Sequence, residues 1–202
     1  MENQKGNHFR KSAGTSLLPC GQGVDRRRFL KLGLLAALPF MSSGLHLPKA
    51  FAHEGQKRAL SFYNTHTGEA LSTLYWESGR YLKLSLSDIN YILRDHRTDE
   101  VMSMDLSLLD LLHAIHLKVG TQEPFHIISG YRSARTNAFL CKQNRGVVNN
   151  SLHLCGKAVD IRLPGYELSS LRRVAVNLRA GGVGYYPRSD FVHVDVGRVR
   201  NW

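Results

Sequence analysis

Two short motifs, residues 151–160 and residues 191–195, constrain the fold of this chain more than any other feature. The first contains His153 and Asp160 and the second contains His193. Two imidazoles and one carboxylate are a ligand set that suits Zn²⁺, and three protein ligands leave the fourth tetrahedral position open for water. The fold must therefore bring these three side chains together, and an open position predicts a catalytic zinc site rather than a structural one.

Residues 1–52 are predicted to be an export signal and not part of the folded domain. Residues 25–31 read Asp-Arg-Arg-Arg-Phe-Leu-Lys, a moderately apolar stretch follows, and residues 50–52 form an A-x-A cleavage signal. This order resembles a twin-arginine export peptide. The apolar stretch is interrupted by proline, serine and glycine, so it falls short of the ~20 apolar residues that span a bilayer. We expect the twin-arginine translocase as the export partner, no stable membrane insertion after cleavage, and a mature domain of residues 53–202.

Removal of the signal changes the electrostatic argument. The chain has 27 basic and 16 acidic side chains, and residues 1–52 contain 8 of the basic and 2 of the acidic ones. The remaining 19 basic and 14 acidic side chains give a net charge of +5 instead of +11. Because no basic block or aromatic-interleaved basic stripe remains, the sequence does not favour nucleic-acid binding. A mildly basic surface would suit an anionic polymer such as a cell wall.

The mature part has the length of one ordinary domain and shows mixed helical and strand periodicity. We predict a single α+β domain in which helices flank a small antiparallel sheet and zinc sits on that sheet. The predicted strands are 59–63, 71–76, 125–129, 158–163, 183–186 and 191–196. Four helices are predicted. The first begins at Ser87 or Asp88, the second runs from the cap Asp105 to Gly120, and the last two cover about 134–143 and 169–179.

Two cysteines, Cys141 and Cys155, lie in the mature part on either side of the segment that precedes His153. In an oxidising compartment they would form a disulfide that braces this segment. The alternatives are two small apolar side chains, or Cys155 as a zinc ligand two residues after His153.

Four motifs occur in one order, namely Ser-Gly-Tyr-Arg-Ser at 129–133, the metal motif at 151–160, Gly-Gly-Val-Gly-Tyr-Tyr-Pro at 181–187 and Phe-Val-His-Val-Asp at 191–195. Together with the leader they resemble the murein endopeptidase K family, which is similar to the D-Ala-D-Ala carboxypeptidases and the wider LAS group of zinc peptidases. The resemblance covers essentially the whole chain. It implies a hedgehog/D-Ala-D-Ala-peptidase-like fold and a periplasmic zinc endopeptidase that hydrolyses peptide cross-links of peptidoglycan during cell wall growth or remodelling.

The resemblance also implies roles for individual residues, beginning with the three metal ligands named above. Arg132 matches the arginine that relatives place beside zinc, where it would hold the developing oxyanion or grip a substrate carboxylate. Asp190 lies three positions before His193, where related carboxypeptidases carry the acidic base, although aspartate is also common in turns. Asp195 is the competing base, or it orients His193 from the same strand face.

Two other functions fit the same ligands. A D-Ala-D-Ala-type carboxypeptidase would present a different bond of the same polymer to the metal. A non-catalytic, zinc-stabilised module would bind peptidoglycan without cleaving it. The presence of Arg132 and of a nearby aspartate favours an enzyme.

Overall fold

The computed structural model describes residues 57–143 and 148–202, so the export signal predicted at residues 1–52 lies outside the described residues. Within these ranges the chain forms one mixed sheet and a set of helices. In chain order the elements are β1 (Lys57–Asn64), β2 (Ala70–Glu77), β3 (Arg80–Tyr81), α1 (Lys83–Ile92), α2 (Leu106–Val119), β4 (Phe125–Ser129), α3 (Ala134–Lys142), a 3-10 helix (Leu152–Cys155), β5 (Ala158–Arg162), α4 (Leu168–Leu178), β6 (Gly182–Tyr186), β7 (Phe191–Asp195) and β8 (Arg200–Asn201).

The sheet has eight strands in the order β3-β2-β1-β4-β5-β7-β6-β8. The pairs β1–β4 and β6–β8 are parallel, and the other pairs are antiparallel. The prediction of a small antiparallel sheet was therefore wrong in size and in part of its pairing. Two helices separate β2 from β4, and a long crossover of this kind allows β4 to join β1 in parallel. The edge strands β3 and β8 have two residues each, too few to give a period-two pattern in the sequence.

The hydrophobic core lies between the helices and one face of the sheet. Helix α2 contributes five buried residues, and strand residues such as Val159, Ile161, Val192 and Val194 meet the same core cluster. Side chains alternate between the two faces of a strand, so the residues between these valines and isoleucines point away from the helices. This places positions 160 and 193 on the opposite face. No helix within the described ranges is both long and apolar enough to cross a membrane.

Helix α2 confirms the prediction made from its caps. The Asp105 side chain accepts a hydrogen bond from the Ser107 backbone N–H, and Gly120 ends the helix with φ of 71°. Helix α1 instead begins at Lys83, earlier than predicted. Its N-cap is Leu82, whose side chain makes no capping hydrogen bond, so the sequence carries no start signal there.

Candidate metal centre

Three side chains from three elements converge on the face of the sheet opposite the hydrophobic core. Asp160 of β5 and His193 of β7 are register partners on neighbouring antiparallel strands, so their side chains emerge side by side. His153 comes from the 3-10 helix that precedes β5. One ligand atom from each residue lies within 4.8 Å of the others. The structure therefore brings together the three residues that the two motifs singled out.

The 3-10 helix is held in place by its two ends. The Ser151 side chain accepts a hydrogen bond from the His153 backbone N–H at the first end. Gly156 closes the other end with φ of 63°, a left-handed conformation that favours glycine. A Cβ at Gly156 would lie 2.6 Å from the Ser103 carbonyl oxygen. The glycine of the metal motif is therefore required both for its backbone angle and for its close packing.

The hydrogen bonds of the two histidines determine which nitrogens face the centre. His153 Nδ1 lies 2.7 Å from the Gly130 carbonyl oxygen, and His193 Nε2 lies 3.0 Å from Asp195 Oδ2. A carbonyl and a carboxylate can only accept, so each of these nitrogens carries a hydrogen. In the neutral imidazoles the other nitrogens, His153 Nε2 and His193 Nδ1, then present lone pairs to Asp160 Oδ1. Three such acceptors repel one another unless a proton or a metal cation lies between them.

The size of this acceptor triangle suits zinc. His153 Nε2 lies 3.2 Å from His193 Nδ1, Asp160 Oδ1 lies 2.8 Å from His193 Nδ1, and Asp160 Oδ1 lies 3.3 Å from His153 Nε2. Tetrahedral ligands about 2.0–2.1 Å from zinc lie roughly 3.3–3.4 Å apart. Two edges of the triangle match this spacing and the third is shorter, so a small outward movement would admit the ion. The donor set and its dimensions therefore fit Zn²⁺.

The pKa shifts at the centre describe a site that favours a positive charge. Burial lowers the pKa of His153, which keeps its imidazole neutral as a ligand must be. Burial opposes ionisation of Asp160, but the neighbouring His153 and His193 outweigh it and lower the pKa of this carboxyl. Burial also opposes protonation of His193, yet hydrogen bonds to Asp160 and Asp195 raise its pKa. A proton on His193 occupies the place that a metal cation would take.

Arg132 lies directly beside the centre. Its Nη2 donates to Asp160 Oδ2 at 2.5 Å, the carboxylate oxygen that does not face the histidines, and its Nε donates to Ser129 Oγ at 2.8 Å. The side chain is only 13% exposed. Among the described residues its Nη1 has no hydrogen-bond partner, and the residue lines the cavity over the centre. Two hydrogen bonds thus fix the Arg132 side chain, and its Nη1 group can donate to a ligand.

Asp195 is fully buried and all its acceptor positions are in use. Its Oδ2 accepts from His193 Nε2 and from Arg200 Nη2, and its Oδ1 accepts from Arg200 Nη1 and the backbone N–H groups of Gly182 and Gly197. Burial opposes ionisation, but these hydrogen bonds lower the pKa of Asp195 below its usual value. A carboxylate so strongly engaged is a poor proton acceptor, whereas it holds the His193 ring firmly.

Asp190 lies apart from these contacts. It sits in the turn between β6 and β7 with φ of 52°, and its side chain is 61% exposed. Its Oδ2 accepts a hydrogen bond from Arg162 Nη1 at 2.8 Å. Asp190 and Arg162 line a separate cavity of about 230 Å³ that also includes His126. Arg162 follows Asp160 by two positions on the same strand face, so Asp190 neighbours the metal centre without lining its cavity.

A cavity of about 360 Å³ covers the centre. Aromatic residues form part of its wall, and two of them, Tyr186 and Phe191, belong to the sequence motifs at 181–187 and 191–195. The structure adds Trp202, whose ring centroid lies 5.4 Å from that of His193, and Arg200, which binds Asp195. Both reach the site from β8 and the residue after it. The lining residues are Arg132, Val148, Asn150, Ser151, Leu152, His153, Asp160, Tyr186, Phe191, His193, Arg200 and Trp202.

A His-Asp-His cluster that could hold one metal ion, with a fixed arginine beside it, is typical of a metal-dependent hydrolase. Comparison with known proteins agrees. A model of the family described as Peptidoglycan L,D-endopeptidase MepK matches residues 52–202. The chain therefore belongs to the MepK family, as its motifs predicted.

Individual relatives match over nearly their whole length. Peptidoglycan L,D-endopeptidase MepK of Escherichia coli is 39% identical over 181 residues, which cover 89% of this chain and 97% of that protein. The protein of the same name in Shigella flexneri has the same identity and coverage. The probable peptidoglycan L,D-endopeptidase MepK of Haemophilus influenzae is 38% identical over 180 residues, with 88% of this chain and 95% of that protein covered.

Proposed function

We propose that this chain is a zinc-dependent endopeptidase that hydrolyses L,D cross-links between the peptides of peptidoglycan. The observation that carries the proposal is the convergence of His153 Nε2, His193 Nδ1 and Asp160 Oδ1, three acceptors without a donor between them. The relatives named as L,D-endopeptidases supply the substrate class and the type of cross-link.

Zinc bound by His153, Asp160 and His193 would lower the pKa of a water molecule to about 7 and polarise the scissile carbonyl. The chain's own residues then hold the reacting groups. Asp160 would bind the metal through Oδ1, the oxygen that faces the two histidines, while its Oδ2 accepts a hydrogen bond from Arg132 Nη2. Nη1 of Arg132, which has no hydrogen-bond partner within residues 57–143 and 148–202, would donate to the negative charge that develops on the carbonyl oxygen, or would hold a carboxylate of the substrate.

The chain also fixes the orientation of its ligands. The Gly130 carbonyl holds His153 with Nε2 directed to the centre, and Asp195 holds His193 with Nδ1 directed to the centre. Arg200 neutralises Asp195 through two hydrogen bonds. We assign Asp195 to the orientation of His193 rather than to proton transfer, because all its acceptor positions are used.

Asp190 remains the base predicted from the position three residues before His193. Its Oδ1 would have to reach the attacking water from a neighbouring cavity, and its Oδ2 is held by Arg162. These contacts favour a smaller contribution of Asp190 to kcat than a general base makes. The loss of kcat in Asp190→Asn decides between the two roles.

We further propose that the enzyme works in the periplasm after export by the twin-arginine pathway. Two arguments support this location. The substrate class lies outside the cytoplasm, and residues 25–31 with the cleavage signal at 50–52 have the order of an export peptide. The 181 residues aligned with the Escherichia coli protein are more than residues 52–202 can supply, so the similarity extends into the leader.

Digestion of purified muropeptides tests the proposal. The mature protein is incubated with L,D-cross-linked and D,D-cross-linked dimers, with zinc or with a chelator, and the products are identified by mass. We expect zinc-dependent conversion of the L,D-cross-linked dimer to monomers, lost in chelator and restored by added zinc. Asp160→Asn should give no product under any condition.

The other outcomes identify the alternative functions. Release of free D-alanine without conversion of dimers would indicate a carboxypeptidase. Absence of any zinc-dependent product, together with retained binding to the cell wall polymer, would indicate a binding module. Either result contradicts the proposed endopeptidase.

A further inference from the structure

We propose that Trp202 is a substrate-contacting residue, whose exposed indole face forms the cleft wall beside His193 and sets the affinity for the peptide. The inference rests on the proposed function, because the ligand is a cross-linked peptide whose scissile bond lies at the metal centre. Trp202 would contact apolar groups and the flat faces of peptide bonds in the substrate next to that scissile bond.

The backbone fixes the position of this tryptophan. The Trp202 N–H donates to the Val183 carbonyl oxygen at 3.1 Å, and the Trp202 carbonyl accepts from the Tyr185 N–H at 3.0 Å. These two hydrogen bonds continue the parallel pairing of β8 with β6. The indole Nε1–H donates to the Tyr186 hydroxyl at 2.9 Å. The ring is therefore held at both its backbone and its polar end.

The sequence of β6 provides a place for the ring. A Cβ at Gly184 would lie 2.7 Å and 2.8 Å from carbons of the Trp202 ring, so the indole packs directly on this glycine. Gly184 is the register partner of His193. The absence of a side chain at position 184 thus allows the indole to lie next to the metal-binding histidine.

The exposed surface of Trp202 is unusual for a residue held so firmly. It is 47% exposed although its ring lines the cavity over the centre. Its only polar group is already paired with Tyr186, so what remains is an apolar π surface, with the Arg200 guanidinium 4.9 Å from the ring centroid. A rigid aromatic surface in a cleft binds ligand with little loss of conformational freedom. A peptide bound at the centre would cover it.

Kinetics of two substitutions test the inference on zinc-loaded protein. Trp202→Ala should raise KM for the cross-linked dimer by about tenfold, as expected when a central aromatic contact is removed, and change kcat less than threefold. Trp202→Phe retains an aromatic surface and should recover most of the affinity. An unchanged KM in Trp202→Ala, or loss of bound zinc from it, would overturn the inference, since the latter would make the residue a support for His193.

Fluorescence provides a second measurement that does not depend on the folding of Trp202→Ala. The chain has two tryptophans, and the other, Trp76, lies on β2 against Arg58 and is absent from the cavity lining. In zinc-loaded Trp76→Phe, rapid mixing with cross-linked dimer should change the Trp202 emission saturably before products accumulate. The matched Trp202→Phe protein, which retains Trp76, should show no change.

This measurement separates the inference from the proposed function. Hydrolysis of the dimer without any change in Trp202 emission would overturn the inference and leave the endopeptidase assignment intact. A saturable change in emission without hydrolysis would support the contact with Trp202 and contradict the endopeptidase.

Discussion

Replacement of Asp195 by asparagine should weaken zinc binding although Asp195 is not one of the three proposed ligands. The carboxylate accepts hydrogen bonds through both oxygens, including one from His193 Nε2 and two from Arg200. In Asp195→Asn the better orientation keeps the amide oxygen at the Oδ1 position, where three donors converge. The amide NH₂ then faces His193 Nε2–H and Arg200 Nη2–H, donor against donor.

The imidazole can relieve this conflict by moving its hydrogen from Nε2 to Nδ1. Nδ1 of His193 is the atom directed at the metal centre, so the new tautomer cannot coordinate zinc. Loss of such a hydrogen-bond partner typically costs 10–100-fold in metal affinity, which corresponds to about 1.4–2.8 kcal/mol. Arg200 also loses its charged partner. Breaking a buried ion pair costs the most when both partners are buried, and Arg200 is 36% exposed. We therefore expect a loss of about 3 kcal/mol in the free energy of unfolding, the lower end of the range for buried ion pairs.

The zinc affinity is measured by competition with a chromophoric chelator, and the stability by urea unfolding of the metal-free protein. Asp190→Asn is the matched control, because it makes the same chemical change on a carboxylate that is 61% exposed, and its zinc affinity should not change. A folded Asp195→Asn protein that binds zinc within threefold of the parent would refute the orientation argument.

Three further substitutions test other parts of the site. Arg132→Lys keeps the positive charge but loses the forked guanidinium, so kcat should fall about 10²–10³-fold with zinc retained. The control Arg135→Lys, on the exposed side of α3, should have no effect on kcat. Equal kcat values for the two variants would exclude contact of Arg132 with the transition state. Asp190→Asn should lower kcat less than tenfold, whereas the 10²–10⁴-fold loss typical of a general base would show that Asp190 takes the proton. Gly156→Ala should lower the free energy of unfolding by about 1–3 kcal/mol more than Gly120→Ala. Both glycines have positive φ, but only a Cβ at position 156 meets a backbone atom within 3 Å. Equal losses in urea unfolding would show that close packing does not require glycine at position 156.

The fold could be predicted from the sequence where a local signal existed. Helix α2 shows apolar residues at helical spacing between the cap Asp105 and Gly120, and the β6–β7 hairpin shows alternation around a Pro-Arg-Ser-Asp turn, so both were predicted close to their bounds. The parallel joining of β1 to β4 depends on contacts across two helices, and no local pattern encodes it. The two-residue edge strands gave no period to detect.

The same distinction holds at the site. The three proposed metal ligands belong to motifs whose chemistry is visible in the residue types, and the register of Asp160 with His193 places two of them side by side. Arg200 and Trp202 were missed, because they reach the centre only through the pairing of β8 with β6. The full hydrogen bonding of Asp195 could not be predicted either, since four of its five hydrogen bonds come from Arg200 and from the backbone N–H groups of Gly182 and Gly197.

The central claim is that His153 Nε2, Asp160 Oδ1 and His193 Nδ1 bind one zinc ion with a fourth position left for water. A crystal structure of the zinc-loaded protein, with anomalous diffraction recorded on both sides of the zinc absorption edge, tests it most directly. We predict a single anomalous peak about 2.0–2.2 Å from all three atoms. A peak elsewhere, or a fourth protein ligand such as Cys155 closing the open position, would contradict it.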